Sequence, residues 1–176
     1  RNCSRGEITL LVYPIFQRNN RLDVYPPAVS LHLRWHDGCM SERAALFALY
    51  EQALVSTLDP ANEEWVDPAL ECLTRHQSAI VMTAYNPGAV RPTWAQNEAA
   101  NARMLDELRP RRYEVWQADG FSADGTWREP GWLVWGMPID EGVSVAAQFD
   151  QFAIYVYDEE GVRTVVPCDM PQPDVS

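Results

Sequence analysis

The chain has 176 residues, 47% hydrophobic and 22% charged, with 25 acids against 14 bases and a net charge of −11. That length suffices for one domain with its own core, without disulfide or metal staples. The acidity disfavours direct nucleic-acid binding, which depends on cations neutralising phosphate, and favours a basic or cationic partner surface. Every base is arginine, so lysine Schiff bases, a Walker-type phosphate lysine and a Ser-Lys dyad are excluded within this sequence.

No apolar run approaches the roughly 18 residues that span a bilayer, so no transmembrane helix is expected. The opening apolar stretch is interrupted by Pro14 and lacks a small-residue cleavage site, so a signal peptide is not expected either. Arg1 in place of an initiating methionine points to a longer natural N-terminus. Cys3, Cys39, Cys72 and Cys168 form no C-x-x-C pair. Scattered reduced thiols in a cytoplasmic protein are the expectation, with neither a zinc ribbon nor a disulfide framework.

In chain order, Glu7–Phe16 predicts a strand. Val29–Trp35 alternates apolar with polar residues, the period-two pattern of a strand with one buried face, and Asp37-Gly38 turns the chain. Ser41 is placed to cap a helix carrying Leu46, Leu49, Tyr50, Ala53, Leu54 and Leu58, ended by Asp59-Pro60. An acidic loop ANEEWVDP follows, and Asp67-Pro68 opens a short helix as N-cap and first helical residue. Residues 78–84 predict a buried strand and Asn86-Pro87-Gly88 a turn; Thr93 and Gln96 form a capping box for a helix to about Leu108, closed by Arg109-Pro110. Tyr113–Ala118 predicts a strand and the Asp119-Gly120 and Asp124-Gly125 pairs a loop. Gly131–Gly136 predicts another strand, followed by a helix capped by Asp140 and running to about Phe149. Gln151–Tyr157 and Val162–Val166 complete the strands, and a Pro-rich tail ends the chain.

Residues 78–157 thus follow the order β-α-β-β-α-β, the split arrangement of ferredoxin-like folds. The expected fold class is α/β (α+β), with a C-terminal hairpin strand added to that sheet. Residues 1–76 form a β-hairpin and two-helix extension, 77–166 the core and 167–176 a loose tail.

The stretches MTAYNP (82–87), NEAANARML (97–105), EPGWLVWG (129–136) and FDQFAIYVY (149–157) occur in the order typical of one bacterial family. On them, residues of about 78–166 resemble the domain of unknown function 3293 family. The sequence departs from that pattern at Asp150, where the family tends to have glycine, and around Glu129, where EPG replaces PE-x. The resemblance implies a cytoplasmic bacterial or phage origin and brings no activity with it.

Asn97 and Asn101 are the most informative residues. They lie one turn apart on the same face as Met104 and Leu108, where an amide is costly unless hydrogen-bonded. Asparagine is also a poor helix former, so its double occurrence needs a reason. Either both amides bond neighbouring backbone around Asn86-Pro87, or they line a polar pocket near the helix N-terminus, completed by Asn86, Glu129 and Gln151. Such a pocket would suit an anionic or carbonyl-bearing ligand.

Other constellations have simpler explanations. His32 and His36, on a strand, stand roughly 13 Å apart at about 3.3 Å per residue and cannot share one ion. His76 ends a helix, where a cation suits the dipole. Asp119, Asp124 and Glu129 lack calcium-loop spacing, and the many acids single out no hydrolytic pair. No nucleophile motif occurs, and no cofactor or metal is expected. Trp116, Trp127, Trp132 and Trp135 fit core packing or an aromatic contact surface.

The leading expectation is a non-catalytic cytoplasmic binding module for an unidentified protein or small polar ligand, using Asn86, Asn97, Asn101, Glu129 and Gln151. One alternative is an acidic nucleic-acid mimic of the phage counter-defence type, built on Asp59, Glu63, Glu64, Asp67 and Glu71. The other is a small enzyme with Glu129 as acid or base.

Overall fold

A computed structural model describes residues 7–12, 29–34, 42–89, 92–125 and 127–168. The chain divides into two compact units, residues 1–54 with 120–128 and residues 55–119 with 129–176. In the first, β1 (Glu7–Val12) and β2 (Val29–Arg34) pair antiparallel from Glu7 opposite Arg34 to Val12 opposite Val29. Helix α1 (Glu42–Gln52) follows. The expected features at Cys3, Pro14, residues 13–16, Trp35, His36, Asp37-Gly38, Cys39, Ser41 and the tail from 169 lie outside the described residues.

The other strands are β3 (Leu54–Asp59), β4 (Glu64–Val66), β5 (Ala79–Met82), β6 (Val115–Phe121), β7 (Arg128–Trp135), β8 (Ala153–Tyr157) and β9 (Arg163–Pro167). They form one seven-stranded sheet in the order β4-β3-β6-β7-β5-β8-β9. Central β5 is antiparallel to both neighbours, Val81 lying opposite Leu133 of β7 and Tyr155 of β8. β9 extends the sheet antiparallel to β8. The result is a mixed α+β architecture.

Period-two alternation gives this sheet two apolar faces. Ile80, Met82, Val134 and Ile154 point to one side, where they pack with Ala100, Met104 and Leu108 of α3 (Trp94–Leu108) and Val145 and Ala146 of α4 (Ile139–Ala147). Ala79, Val81, Leu133, Trp135, Trp116, Ala118 and Tyr157 point to the other and pack with Cys72 of α2 (Pro68–Arg75). Strands buried on both faces carry near-continuous apolar runs, as in AIVM of β5. Trp132 and Trp135 do lie on opposite faces; Trp135 is buried, and the Trp132 indole donates to Asn101 O at 3.0 Å.

Several local expectations are corrected. Helix α1 stops at Gln52, and Leu54 and Leu58 belong to β3. Val55 packs on the α2 side of the sheet and fully buried Thr57 donates its hydroxyl to Gln117 O at 2.8 Å, so cross-strand burial overrides the helical spacing. The stretch taken as an acidic loop is a hairpin in which Glu64–Val66 pairs with Thr57–Asp59. Its turn is organised by Asp59, whose carboxylate accepts from Ala61 N at 2.8 Å. Asp119-Gly120 lies within β6, not in a loop. The N-cap of α4 is Pro138; Asp140 sits in the first turn, where its charge meets the helix dipole. The Asp67 cap of α2 and the Thr93–Gln96 capping box of α3 form as expected.

Two glycines mark close approaches. A Cβ on Gly131 would meet Met82 O of the paired strand at 2.4 Å, whereas one on Gly142 would meet the flexible Ile80 Cδ1 at 2.6 Å. Backbone in a ladder cannot retreat, and alanine also favours a helix by up to about 1 kcal/mol. Gly131→Ala should cost about 1–3 kcal/mol, and Gly142→Ala clearly less, measured by urea unfolding.

Burial pushes the Cys72 thiol up from 9.0 to about 11 and the Tyr157 phenol up from 10.0 to about 12. Both groups are neutral acids inside the fold, so their contribution is whole below their ordinary values. It is lost as pH rises through the folded values. Urea midpoints should therefore fall between pH 9 and pH 12. In Cys72→Ala/Tyr157→Phe that slope should flatten.

Candidate functional site

The segment linking β5 to α3 leaves the sheet at Thr83 and must turn sharply to begin α3. Asn86 and Gly88 adopt φ of 51° and 59°, a left-handed backbone that asparagine tolerates and glycine favours. The turn expected at Asn86-Pro87-Gly88 forms there, with a short 3-10 turn over Pro87–Ala89. Such a segment makes few ladder bonds, so its buried amides and carbonyls need side-chain partners.

The amide side chains supply them. Asn97 pairs reciprocally with Asn86: its Oδ1 accepts from Asn86 N at 2.9 Å and its Nδ2 donates to Asn86 Oδ1 at 3.1 Å. Asn101 Oδ1 accepts from Ala84 N at 3.3 Å. Gln151 Nε2 donates to Tyr85 O at 3.0 Å and to Phe149 O at 3.2 Å. Asn97, Asn101 and Gln151 are each only 6% exposed, so these bonds form where water is largely shut out. Asn86 Nδ2 donates to Glu129 Oε1 at 2.5 Å, completing the cluster.

Further bonds fix the same segment. Thr83 Oγ1 donates to Pro130 O at 2.7 Å and accepts from Tyr85 N at 3.0 Å. The Tyr85 hydroxyl donates to Glu98. Gly88 N donates to Asp150 O at 2.8 Å. Asp150 has φ of 54°, a left-handed backbone that glycine favours and aspartate tolerates.

All five expected residues therefore meet at one place. Of the two readings of the asparagines, the backbone-bonding one describes their geometry. The capping box also occupies Gln96 N, leaving fewer free donors at the α3 N-terminus for an anion. Glu129 lies near Tyr155 as well, whose phenol is raised by burial and then by the Glu129 charge. Among the described residues no group of three His, Cys, Asp or Glu is placed to hold a metal ion. No helix among them is long and apolar enough to cross a membrane.

Sequence reasoning missed Tyr85, Glu98 and above all Trp94. Trp94, Asn97, Asn101, Met104 and Leu108 are spaced three and four apart, one stripe along α3. Its inner residues are buried, while Trp94 at its outer end is 56% exposed. Extending the stripe one step upstream of Asn97 would have found it.

Fold and cluster together define an α+β sheet domain with a connecting segment clasped by buried amides. The family described as Protein of unknown function (DUF3293) matches residues 82–154, and the resemblance carried by the four motifs is thereby shown. The matched span holds the whole clasp. No curated protein and no solved structure matches the chain.

Replacing Asn97 or Asn101 by leucine strands Asn86 N or Ala84 N without an acceptor. Each variant should lose about 1–3 kcal/mol in urea or thermal unfolding.

Proposed function

We propose that the protein is a non-catalytic binding module whose contact surface is the clasped segment Asn86–Gly88 with Trp94 beside it. The observation that carries this reading is Trp94, 56% exposed one helical turn beyond Asn97, which itself holds Asn86. Residues at that spacing have Cβ atoms about 5–6 Å apart, so Trp94 stands beside the side chain that holds the clasped segment. A segment tied down by buried side chains loses little freedom on binding, and tryptophan is enriched among residues that dominate interface energy.

Support for a contact surface over an amide-lined pocket comes from the amides themselves. Asn97, Asn101 and Gln151 already satisfy backbone, so a ligand would have to break those bonds. A protein partner reaching Trp94, half-buried Asn86–Gly88 and Glu129 needs no such exchange. The enzyme reading draws less support, because Glu129 is engaged by Asn86. So does phosphate mimicry, because Asp59 and Asp67 use their carboxylates on a turn and a helix cap.

Within this reading the strand order β6-β7-β5-β8 supports a split β-α-β-β-α-β core of ferredoxin-like type, with β9 added at one edge and β3 and β4 at the other. The buried thiol of Cys72 fits a reducing, cytoplasmic setting.

Affinity chromatography of extract from the source cells, with wild type and Trp94→Ala immobilised in parallel, tests the surface. The expected result is a partner retained by wild type and lost from a variant with unchanged melting temperature. Equal retention by both, or by neither, overturns the proposal.

A further inference from the structure

Helix α2 carries a second surface, unrelated to the clasp. Its inward side is satisfied: Pro68 and Cys72 are fully buried. Its single arginine is drawn inward too. The Arg75 guanidinium lies 4.4 Å from the centroids of both Trp116 and Trp135 and donates to both carboxylate oxygens of Glu114. Yet the outward side is apolar, with Leu70 61% and Leu73 49% exposed. At i and i+3 their Cβ atoms stand about 5–6 Å apart.

The β8–β9 turn widens this patch. Gly161 sits so close to α2 that a Cβ on it would meet Ala69 O at 2.4 Å. Ala69 shares a helix side with Leu73, four residues on. Val162, next to Gly161, is 59% exposed. Single exposed leucines are ordinary, but Leu70 and Leu73 on one short helix, with exposed Val162 on the turn packed beside it, are a contact feature.

Charge indicates what covers it. Asp67, Glu71 and Asp158 are all near enough to raise the Cys72 thiol by their charge. Asp158 also organises the turn, its carboxylate accepting from Glu160 N at 3.1 Å and Val162 N at 2.7 Å. Glu159 and Glu160 are exposed on the same turn. Arg75 is held by Glu114 and lies 3.9 Å from Glu71, so the carboxylates left around the apolar centre are those of Asp67, Asp158, Glu159 and Glu160.

We propose that the Leu70–Leu73–Val162 face docks a basic amphipathic helix of a partner protein, with apolar side chains on the leucines and arginines or lysines against the acidic rim. Helix-on-apolar-surface recognition uses such anchors at helical spacing, and opposite charge around them sets orientation and association rate.

The probe is a synthetic amphipathic peptide of leucine and lysine at helical spacing, titrated against the whole chain by calorimetry. Wild type should bind, more weakly as salt rises. Leu70→Gln/Leu73→Gln should weaken binding at least about tenfold, roughly 1.4 kcal/mol. Glu159→Gln/Glu160→Gln should weaken binding and flatten its salt dependence. Glu107→Gln/Asp140→Asn, removing equal charge elsewhere, should leave binding unchanged. No binding, affinity that follows net charge wherever it is removed, or insensitivity to the leucine substitutions overturns the proposal. So does a wild-type dimer in sedimentation that Leu70→Gln/Leu73→Gln dissolves, since the occupant is then a second copy. Leu70 and Leu73 are exposed, so folding of the variants is checked by an unchanged melting temperature.

Discussion

The need to satisfy backbone polar groups inside a water-poor corner governs the best-defined part of this structure. Between β5 and α3 the chain must leave a fully buried strand and reverse onto a helix lying over the same sheet. The amides and carbonyls of residues 84–86 are caught there without a neighbouring strand. Asn97, Asn101 and Gln151 answer that need from two different parts of the chain. Because the amides sit in the stripe that continues into Met104 and Leu108, the apolar packing of α3 also positions the polar clasp. Tight core packing and loop rigidity are thus one constraint. It also links distant segments, since Gln151 and Asp150 bond Tyr85 and Gly88 across more than sixty positions of sequence.

The same economy appears on the opposite face of the sheet. Arg75 carries a charge into an aromatic setting, where the faces of Trp116 and Trp135 and the Glu114 carboxylate compensate it. The Glu114 carboxyl is held below its ordinary value chiefly by its bonds to Arg75. Turning this cation inward leaves the outer side of α2 to leucines and carboxylates. The excess of acid over base in the composition therefore gains local meaning: Arg75, the arginine of α2, serves internal contacts, and exposed Asp67, Asp158, Glu159 and Glu160 lie around the helix.

The two proposed surfaces differ in kind. Around Trp94 a rigid segment presents an aromatic side chain, which favours shape-specific contact with little ordering cost. On α2 a short apolar strip with a charged surround favours a helical, basic partner and association sensitive to salt. The family resemblance spans the first surface and stops short of α2, which begins before residue 82 and ends at Arg75.

Much of the fold was legible locally. The capping box of α3, the Asp67-Pro68 start of α2, the apolar runs of β7 and β8 and the turn at Asn86-Gly88 depend on neighbours a few residues apart, so sequence alone determined them. It also singled out the five residues: Asn97 and Asn101 because an amide on an apolar helix face demands an explanation, and Asn86, Glu129 and Gln151 as those that would complete a polar pocket beside them. What it left open was which backbone groups those amides bond, since that depends on which carbonyls and N–H groups arrive from distant segments. Only the tertiary structure decided it. Leu54–Asp59 became a strand for the same reason: its helical spacing was real, but a hydroxyl bond to Gln117 of β6, sixty residues away, and packing on the cluster that holds Trp116 overrode it. Local chemistry sets caps, turns and periodicity, whereas partners for buried polar atoms are assigned only when the sheet closes.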